Sequence, residues 1–177
     1  MEVVTTIHPP RTIREVYDRL PEGTLAQLIE NQLVMSPAPT YNHQDILLDL
    51  GAQLRQYVLD TSIGVIIISP FDVHLSPGNV YQPDIIFVRR ENFNNLSNDA
   101  MYGAPDLVIE LLSPSTSRYD QNQKKAVYEK SGVSEYWIVD PDNKEALGYI
   151  LKEGCYESPI TTTGKINSEI LGEEFKF

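Results

Sequence analysis

Three residues with side chains suited to phosphate chemistry flank or interrupt apolar segments. Asp84 directly precedes the apolar run at residues 85–88, Glu110 lies inside the apolar run at residues 107–112, and Lys124 follows it on the next segment. Two carboxylates can hold a divalent cation such as Mg²⁺, which binds a phosphate oxygen and lowers the pKa of a bound water. A lysine beside them can orient that water and stabilise developing negative charge. These residue types therefore favour hydrolysis of a phosphodiester bond.

The two acids converge only if the segments that carry them are neighbouring strands. Both apolar runs are nearly continuous, a pattern typical of strands covered on both faces. An ionised Glu110 within such a run needs a cation or several hydrogen bonds. We therefore expect Glu110 at the mouth of its strand, facing a positive group.

The positive group is expected on a helix that begins near Ser117. Ser117 and Asp120 resemble a capping box, and Gly132 suits the left-handed position just past the helix end. At about 100° per residue, Lys124 lies at the edge of the apolar arc of this helix, whereas Lys125 points toward water. Lys124 is therefore the lysine better placed to face the sheet.

A longer block of the sequence resembles a known family. The block comprises Pro83-Asp84, the segment APDLVIELLSPST at residues 104–116, the spacing Asp120-x-x-x-Lys124-x-x-x-Tyr128, and the segment GVSEYWIVDP at residues 132–141. It resembles the Uma-two-type restriction endonuclease family, from about residue 12 to the C-terminus. That family belongs to the superfamily named for the PD-(D/E)XK motif. The resemblance implies a metal-dependent nuclease in which Asp84 and Glu110 hold Mg²⁺ or Mn²⁺.

The sequence departs from the superfamily motif at one position. The motif lysine would follow Glu110 by two residues, where this chain has Leu112, so Lys124 on the next helix is the natural replacement. The catalytic residues expected from the resemblance are thus Asp84, Glu110 and Lys124. Asp106 also follows a proline, but about 13 Å of extended strand separates it from Glu110, so we interpret it as a strand-entry residue.

Two further residues are candidates for supporting roles. Glu30 lies where the family resemblance places an acid, and its alternative interpretation is a turn carboxylate. His43 projects from the apolar face of a predicted helix, where a histidine is more often a packed, hydrogen-bonded residue than a ligand. The resemblance places a histidine at this helix start, which leaves open a role beside the phosphate or Glu30.

The fold class expected is α/β (α+β), with a restriction-endonuclease-like core in which helices flank a central mixed β-sheet. Residues 1–11 are expected to form a flexible arm, and residues 12–177 a single nuclease-like domain. Besides the segments above, a helix is predicted at residues 40–60, and strands at 25–30, 32–35, 64–68, 71–75 and 135–139, with a hairpin at 147–158. With one cysteine and no apolar run of membrane length, a cytoplasmic protein without a membrane partner is expected.

Charge opposes the nuclease interpretation. The chain has 14 Lys and Arg against 25 Asp and Glu, a net charge of −11, whereas proteins that bind a phosphate backbone normally present a basic surface. Some acids belong to the expected metal site, and Arg89, Arg90, Arg118, Lys124 and Lys125 are candidates for a local basic rim. Solvated surface charge is at least as good an explanation of Arg89, Arg90 and Lys125.

Two classes of function remain open from the sequence. The first is a metal-dependent DNA endonuclease, working as a homodimer if two sites cut two strands. The second is a catalytically inactive module that keeps the fold for binding or assembly, favoured by the acidic charge and by Leu112. A metal phosphodiesterase acting on RNA or a nucleotide would need the same site chemistry.

Overall fold

The computed structural model describes residues 9–21, 23–113 and 119–177. Its helices are α1 (Ile13–Tyr17), α2 (Tyr41–Thr61) and α3 (Lys125–Ser131), with a 3₁₀ segment over Arg90–Asn95 and a π-helical segment over Tyr119–Lys124. Its strands are β1 (Ala26–Ile29), β2 (Gln32–Met35), β3 (Gly64–Ile68), β4 (Asp72–Ser76), β5 (Asn79–Tyr81), β6 (Ile85–Arg89), β7 (Ala100–Tyr102), β8 (Leu107–Leu111), β9 (Glu135–Val139), β10 (Glu145–Lys152), β11 (Cys155–Tyr156), β12 (Ile160–Thr163), β13 (Lys165–Ser168) and β14 (Glu173–Lys176).

The larger sheet is mixed and carries the strands expected to hold the acids. Its strand order is β11-β10-β9-β8-β6-β3, and β12 pairs with the outer side of β10. The central strand β8 runs antiparallel to β6 and parallel to β9. Every residue of β8 and β9 is buried, as the continuous apolar runs predict. The expected fold class, a mixed sheet with flanking helices, is confirmed.

A second sheet lies beside the first and has the strand order β2-β1-β5-β4-β7. It is antiparallel except where β4 runs parallel to β7. The strands predicted at residues 25–30 and 32–35 are present as β1 and β2, which form a hairpin with its turn at Glu30 and Asn31. Both turn residues have positive φ angles, 49° and 61°, the backbone of a type I′ turn.

Helix α2 covers one face of the larger sheet. Thr40 caps it through a side-chain oxygen that accepts from the His43 backbone, and Leu50 and Leu54 are fully buried against the sheet. On the opposite face of the sheet, the hydrophobic cluster includes Tyr128 from α3 and Val73 from β4. Covering both faces leaves the ends of β6 and β8 as the accessible parts of these strands.

The sequence did not predict the antiparallel hairpin β13–β14, which completes the core beneath α2. Ile166 and Phe175 pack into the α2 cluster. Gln53 Nε2 donates to the carbonyl of Lys176 at 2.6 Å, and the Lys176 amide donates back to Gln53 Oε1 at 3.1 Å. The Tyr57 hydroxyl donates to the carbonyl of Leu171 at 2.7 Å. Helix α2 is thus held by the sheet and, along one flank, by this hairpin.

Several local expectations differ from the structure. The β-branched run at residues 64–68 is typical of a buried strand, but β3 is an edge strand with partly exposed residues, because β6 pairs with only one side of it. The predicted helix over Lys124 is π-helical in its first described part, and Gly132 ends it with φ 90°. The predicted cap at Ser117 and residues 1–8 of the predicted arm lie outside the described residues.

Within the described part of the chain, no helix combines the length and the apolar character needed to cross a membrane.

Candidate active site

Asp84 and Glu110 face each other at the ends of neighbouring strands. Ile85 on β6 pairs with Ile109 on β8, and one further antiparallel step places Asp84 opposite Glu110. The Leu111 amide donates to Asp84 Oδ2 at 2.7 Å, which fixes the Asp84 carboxylate beside β8. The register of two strands therefore brings the two expected metal acids together.

Lys124 forms a buried ion pair with Glu110. Lys124 Nζ lies 2.8 Å from Glu110 Oε1, and the two side chains are only 1% and 5% exposed. The Tyr128 hydroxyl donates to the same oxygen at 2.7 Å. Burial, and then the Glu110 carboxylate, raise the pKa of Tyr128 well above its usual value, so its hydroxyl stays protonated and donates. The buried carboxylate thus has the partners that its apolar strand requires.

The π-helical segment explains how Lys124 becomes fully buried. An ordinary α-helix places this residue at the edge of the apolar arc, whereas the structure buries it at the last position of the π segment. The wider turn shifts the phase of the side chains, and such segments occur frequently at functional sites. Lys125, expected to point to water, instead holds its ammonium 4.4 Å from the centre of the Tyr149 ring.

His43 contacts the other acid from helix α2. Its Nε2 lies 3.1 Å from Asp84 Oδ1, and the residue is 8% exposed. Its Nδ1 is buried and has no hydrogen-bond partner among the described residues. His43 thus sits on the buried face of α2, as its position in the apolar pattern indicates, and also contacts the site.

The site opens into a cleft of about 630 Å³ between the two sheets. Its lining includes four residues of the site and two glutamines, namely His43, Asp84, Glu110, Lys124, Gln27 and Gln82. The backbone N–H of Gln82 donates to Gln27 Oε1 at 3.2 Å, so this contact joins the two glutamines at the cleft wall. Both acids therefore line the cleft, with Asp84 the more exposed of the two.

Glu30 lies outside this lining, at the exposed turn between β1 and β2. Its Oε2 accepts a hydrogen bond from Gln123 Nε2 at 3.2 Å, next to Lys124 in the chain. Its own amide donates to Asn79 Oδ1 at 2.9 Å. The structure therefore places Glu30 against the helix that carries Lys124 and not beside the two facing acids.

Asp106 lies at the opposite end of β8 from Glu110. Its carboxylate accepts from the Arg89 amide at 2.8 Å and from Asn92 Nδ2 at 3.0 Å, and Arg89 Nε is 3.4 Å from it. These contacts join the start of β8 to the end of β6. Asp106 thus has the structural position of a strand-entry residue.

Sequence reasoning missed the roles of Gln27 and Gln82 and the contact of the Tyr128 hydroxyl with Glu110. Gln27 is 4% exposed although it is polar, and Gln82 directly precedes Pro83-Asp84. A buried glutamine in an otherwise apolar strand is a detectable signal, since buried polar groups need partners. The partner itself, however, depends on the pairing of β1 with β5, which the sequence does not reveal.

The donor set fits a hard cation held jointly with substrate. Among the described residues, no three His, Cys, Asp or Glu side chains form a group that could hold a metal ion by themselves. Mg²⁺ is usually bound by one or two carboxylates, with waters and substrate phosphates as further ligands, and Mn²⁺ also prefers oxygen. Asp84 and Glu110 satisfy that requirement. These two residues do not supply the four protein ligands that a structural zinc site needs.

Comparison with known proteins identifies the family and a solved structure with the same fold. The family model of Uma2, described as "Putative restriction endonuclease", matches residues 14–175. A solved structure from Anabaena variabilis ATCC 29413, described as "a putative nuclease belonging to DUF820", superposes with a TM-score of 0.77 and 18% sequence identity over 92% of each chain. That likeness shows a common fold. No curated protein matches the sequence. Since the family match spans nearly the whole chain, the protein belongs to the Uma2 family of restriction-endonuclease-like proteins.

Proposed function

We propose that this protein is a metal-dependent endonuclease that hydrolyses phosphodiester bonds of DNA. The observation that carries the proposal is the convergence of two carboxylates and a lysine in one open cleft, with Lys124 Nζ 2.8 Å from Glu110 Oε1. Membership of the Uma2 family supports a nucleic-acid substrate. Asp84 and Glu110 would hold Mg²⁺ or Mn²⁺, and Lys124 takes the place of the motif lysine.

Each side chain has a separate task in this proposal. When bound, the metal would polarise the phosphate and lower the pKa of a water. The Leu111 amide and His43 keep the Asp84 carboxylate oriented from two sides. Lys124 places a positive charge beside Glu110, where it offsets the negative charge of the acid and stabilises the charge that develops on the phosphate.

The acidic composition limits how nucleic acid would bind. A net charge of −11 repels a phosphate backbone at long range, so productive binding relies on the metal and Lys124 within the cleft. Screening of this repulsion by salt competes with screening of the attraction at the cleft. The cleavage assay therefore covers a range from low to physiological salt, with Mg²⁺ or Mn²⁺ in excess.

One observation favours a second candidate, an inactive nuclease-fold module for binding or assembly. Lys124 is 1% exposed and its ammonium is bonded to Glu110, the arrangement of a purely structural ion pair. Under this alternative, Lys124 and Glu110 stabilise the fold and the cleft binds a partner without cleaving it. Metal binding and cleavage distinguish the two candidates.

The first test is cleavage of supercoiled plasmid by the parent protein and by Asp84→Asn, Glu110→Gln and Lys124→Met. Lys125→Met is the matched lysine control, and Glu91→Gln is the matched carboxylate control because its side chain is 74% exposed. EDTA replaces the metal in a parallel arm. We expect nicking or linearisation by the parent and both controls only with metal, and loss of cleavage in the three site variants while circular dichroism shows them folded.

If DNA is not cleaved, calorimetry with Mg²⁺ and Mn²⁺ distinguishes a wrong substrate from the absence of a metal site. Metal binding that requires Asp84 and Glu110, without cleavage of DNA, supports the site and overturns the DNA substrate, and single-stranded RNA is then the next substrate. Folded protein that neither binds metal nor cleaves overturns the endonuclease proposal and supports the module.

One chain with one cleft cuts one strand at a time. Cutting both strands of a duplex therefore requires two successive binding events or two chains. We propose a homodimer that presents two clefts to one duplex. The oligomeric state is measurable without metal or nucleic acid, so it is tested separately from cleavage.

A further inference from the structure

Helix α2 presents an apolar stripe to solvent on the side opposite the core. Tyr41, Leu48 and Leu59 are 79%, 70% and 56% exposed, which is unusual for large apolar side chains on one helix. At 100° per residue, the three lie within about 20° of one line along the helix, diametrically opposite the fully buried Leu50. The stripe therefore faces directly away from the sheet.

The same line contains three more exposed residues. Asp45, Ala52 and Arg55 lie within about 40° of the line, between the three apolar side chains. We call these six residues the α2 stripe. They follow the a/d spacing of a heptad pattern, with Asp45, Ala52 and Leu59 in one set of positions and Tyr41, Leu48 and Arg55 in the other. Polar Gln44, Asp49 and Gln56 flank the stripe, as at the rim of an interface.

When a second copy of the stripe is turned end to end and laid against the first, each of its residues meets a residue of complementary size or charge. If a second α2 lies antiparallel across the first, related by a two-fold axis through the level of Leu50, three kinds of pair form. Tyr41 lies opposite Leu59, Asp45 lies opposite Arg55, and Leu48 lies opposite Ala52. Each pair joins one heptad set to the other, the layering of an antiparallel coiled coil. Large side chains meet smaller ones, and opposite charges meet.

The charged pair identifies the occupant of this surface. Asp45 and Arg55 are ten residues apart on one helix, about 15 Å along its axis, so they cannot pair within one chain. Neither residue has an ion-pair partner in the part of the chain that the structure describes. A second copy of the same helix, reversed, supplies a carboxylate for Arg55 and a guanidinium for Asp45 at the same time.

We propose that the α2 stripe is the homodimer interface, formed by two antiparallel α2 helices that cross at the level of Leu50. The α2 helix has 21 residues, so it offers a seam about 31 Å long. The interface is isologous, with each protomer contributing the same surface. The use of this dimer for cutting two strands rests on the proposed function, but its formation does not.

The proposed pairing fixes the relative position of the two clefts. His43 reaches Asp84 from the N-terminal part of α2, seven residues before Leu50. A two-fold axis at Leu50 therefore separates the two His43 positions by about 21 Å along the paired helices. The two sites are held apart at a fixed spacing by the same helix that supports each of them.

The experiment measures mass in solution by sedimentation or light scattering, without metal or nucleic acid. The parent is expected to dimerise, and Leu48→Glu is expected to be monomeric because it buries two carboxylates at the seam. Asp45→Arg alone and Arg55→Asp alone each place like charges opposite each other, so each is expected to weaken the dimer at least about tenfold. Asp60→Arg, the same charge change about 100° away from the stripe on the same helix, is the matched control and is expected to leave the dimer intact.

The mixing arm tests the register itself. An Asp45→Arg protomer and an Arg55→Asp protomer restore both opposite-charge pairs, so an equimolar mixture is expected to form heterodimers more tightly than either variant forms homodimers. Circular dichroism and thermal melting verify that every variant is folded. A monomeric parent, a dimer unaffected by Leu48→Glu, or a mixture no tighter than its components would overturn the proposal. A dimer that is lost only when the edge strand β3 is altered would place the interface there instead.

Discussion

Lys124 and Glu110 form an ion pair from which water is almost completely excluded. Their charged atoms are 2.8 Å apart, and both side chains lie between the larger sheet and the helix that follows β8. Removing one member leaves a charge without its partner in a buried site, which is far more costly than removing an exposed ion pair. The pair thus links the stability of the fold to the chemistry proposed for the cleft.

We expect Lys124→Met to lower the free energy of unfolding by about 3–5 kcal/mol, because it leaves the Glu110 carboxylate buried without a cation. Urea denaturation of the parent and the variant measures the difference. Lys125→Met is the control, since its ammonium lies over the Tyr149 ring without a buried ion pair, and its loss should cost about 1 kcal/mol or less. A Lys124→Met variant as stable as the control would contradict the buried pair. The double variant Glu110→Gln with Lys124→Met should regain part of the loss.

We expect His43→Ala to weaken Mg²⁺ or Mn²⁺ binding about 10- to 100-fold, because His43 orients the Asp84 carboxylate through Oδ1. Calorimetric titration with the metal measures the effect. The conservative variant His43→Gln can still donate to Asp84 and should retain more of the affinity. Equal affinity in the parent and in His43→Ala would show that the Leu111 amide alone suffices to position Asp84.

We expect Glu30→Asn to leave cleavage unchanged, because Glu30 lies at a turn outside the cleft lining. Its φ angle of 49° is in the left-handed region, where asparagine is better tolerated than glutamate. The free energy of unfolding should therefore stay the same or rise by up to about 1 kcal/mol. Plasmid cleavage and urea denaturation test both parts. A large loss of cleavage with an intact fold would show that Glu30 acts on the substrate.

We expect His74 to make the fold less stable as the pH falls below its unfolded-state pKa of about 6.5. Burial, and then the nearby Arg14 guanidinium, lower the pKa of His74 in the folded state. Arg14 Nη2 also lies 2.9 Å from His74 Nδ1, which can accept this hydrogen bond only while it is unprotonated. The unfolded chain therefore binds more protons in this range, so the stabilising contribution is present above pH 6.5 and is lost as pH falls through the folded-state pKa.

Chemical denaturation from pH 8 to pH 5 tests this pH dependence against His74→Asn. Asparagine can accept from Arg14 without titrating, so the stability difference between parent and variant should shift in favour of the variant on acidification. A difference that stays constant across this range would show that His74 does not titrate differently on folding.

Local patterns were sufficient to predict the parts of the fold that carry the acids. Strands β6, β8 and β9 have apolar runs with clear limits, and α2 has both a cap at Thr40 and an apolar face. These patterns depend on neighbours in the chain, so a single sequence reveals them. The convergence of Asp84 with Glu110 follows once these strands pair in register.

Other parts depend on contacts between distant segments. The segments ITTT, KINS and EEFK, which form β12, β13 and β14, are short and largely polar, so their strand character comes from pairing and from burial of Ile166 and Phe175. The π-helical turn before α3 has no sequence signal comparable to a cap. Gln27 and Gln82 can be identified as cleft residues only when the position of the second sheet beside the first is known, which the sequence alone does not give.

The contacts of α2 with the hairpin β13–β14 also have a kinetic consequence. Gln53 and Lys176 are hydrogen-bonded although 123 residues separate them in the chain. The contact that fixes α2 on the hairpin therefore closes one of the longest loops in the structure. Closing long loops costs entropy before the contacts form, and domains rich in such contacts fold slowly. In refolding, the surroundings of His43 should therefore reach their native arrangement after the hairpin β1–β2. The ability of the cleft to bind metal should then recover later than the secondary structure.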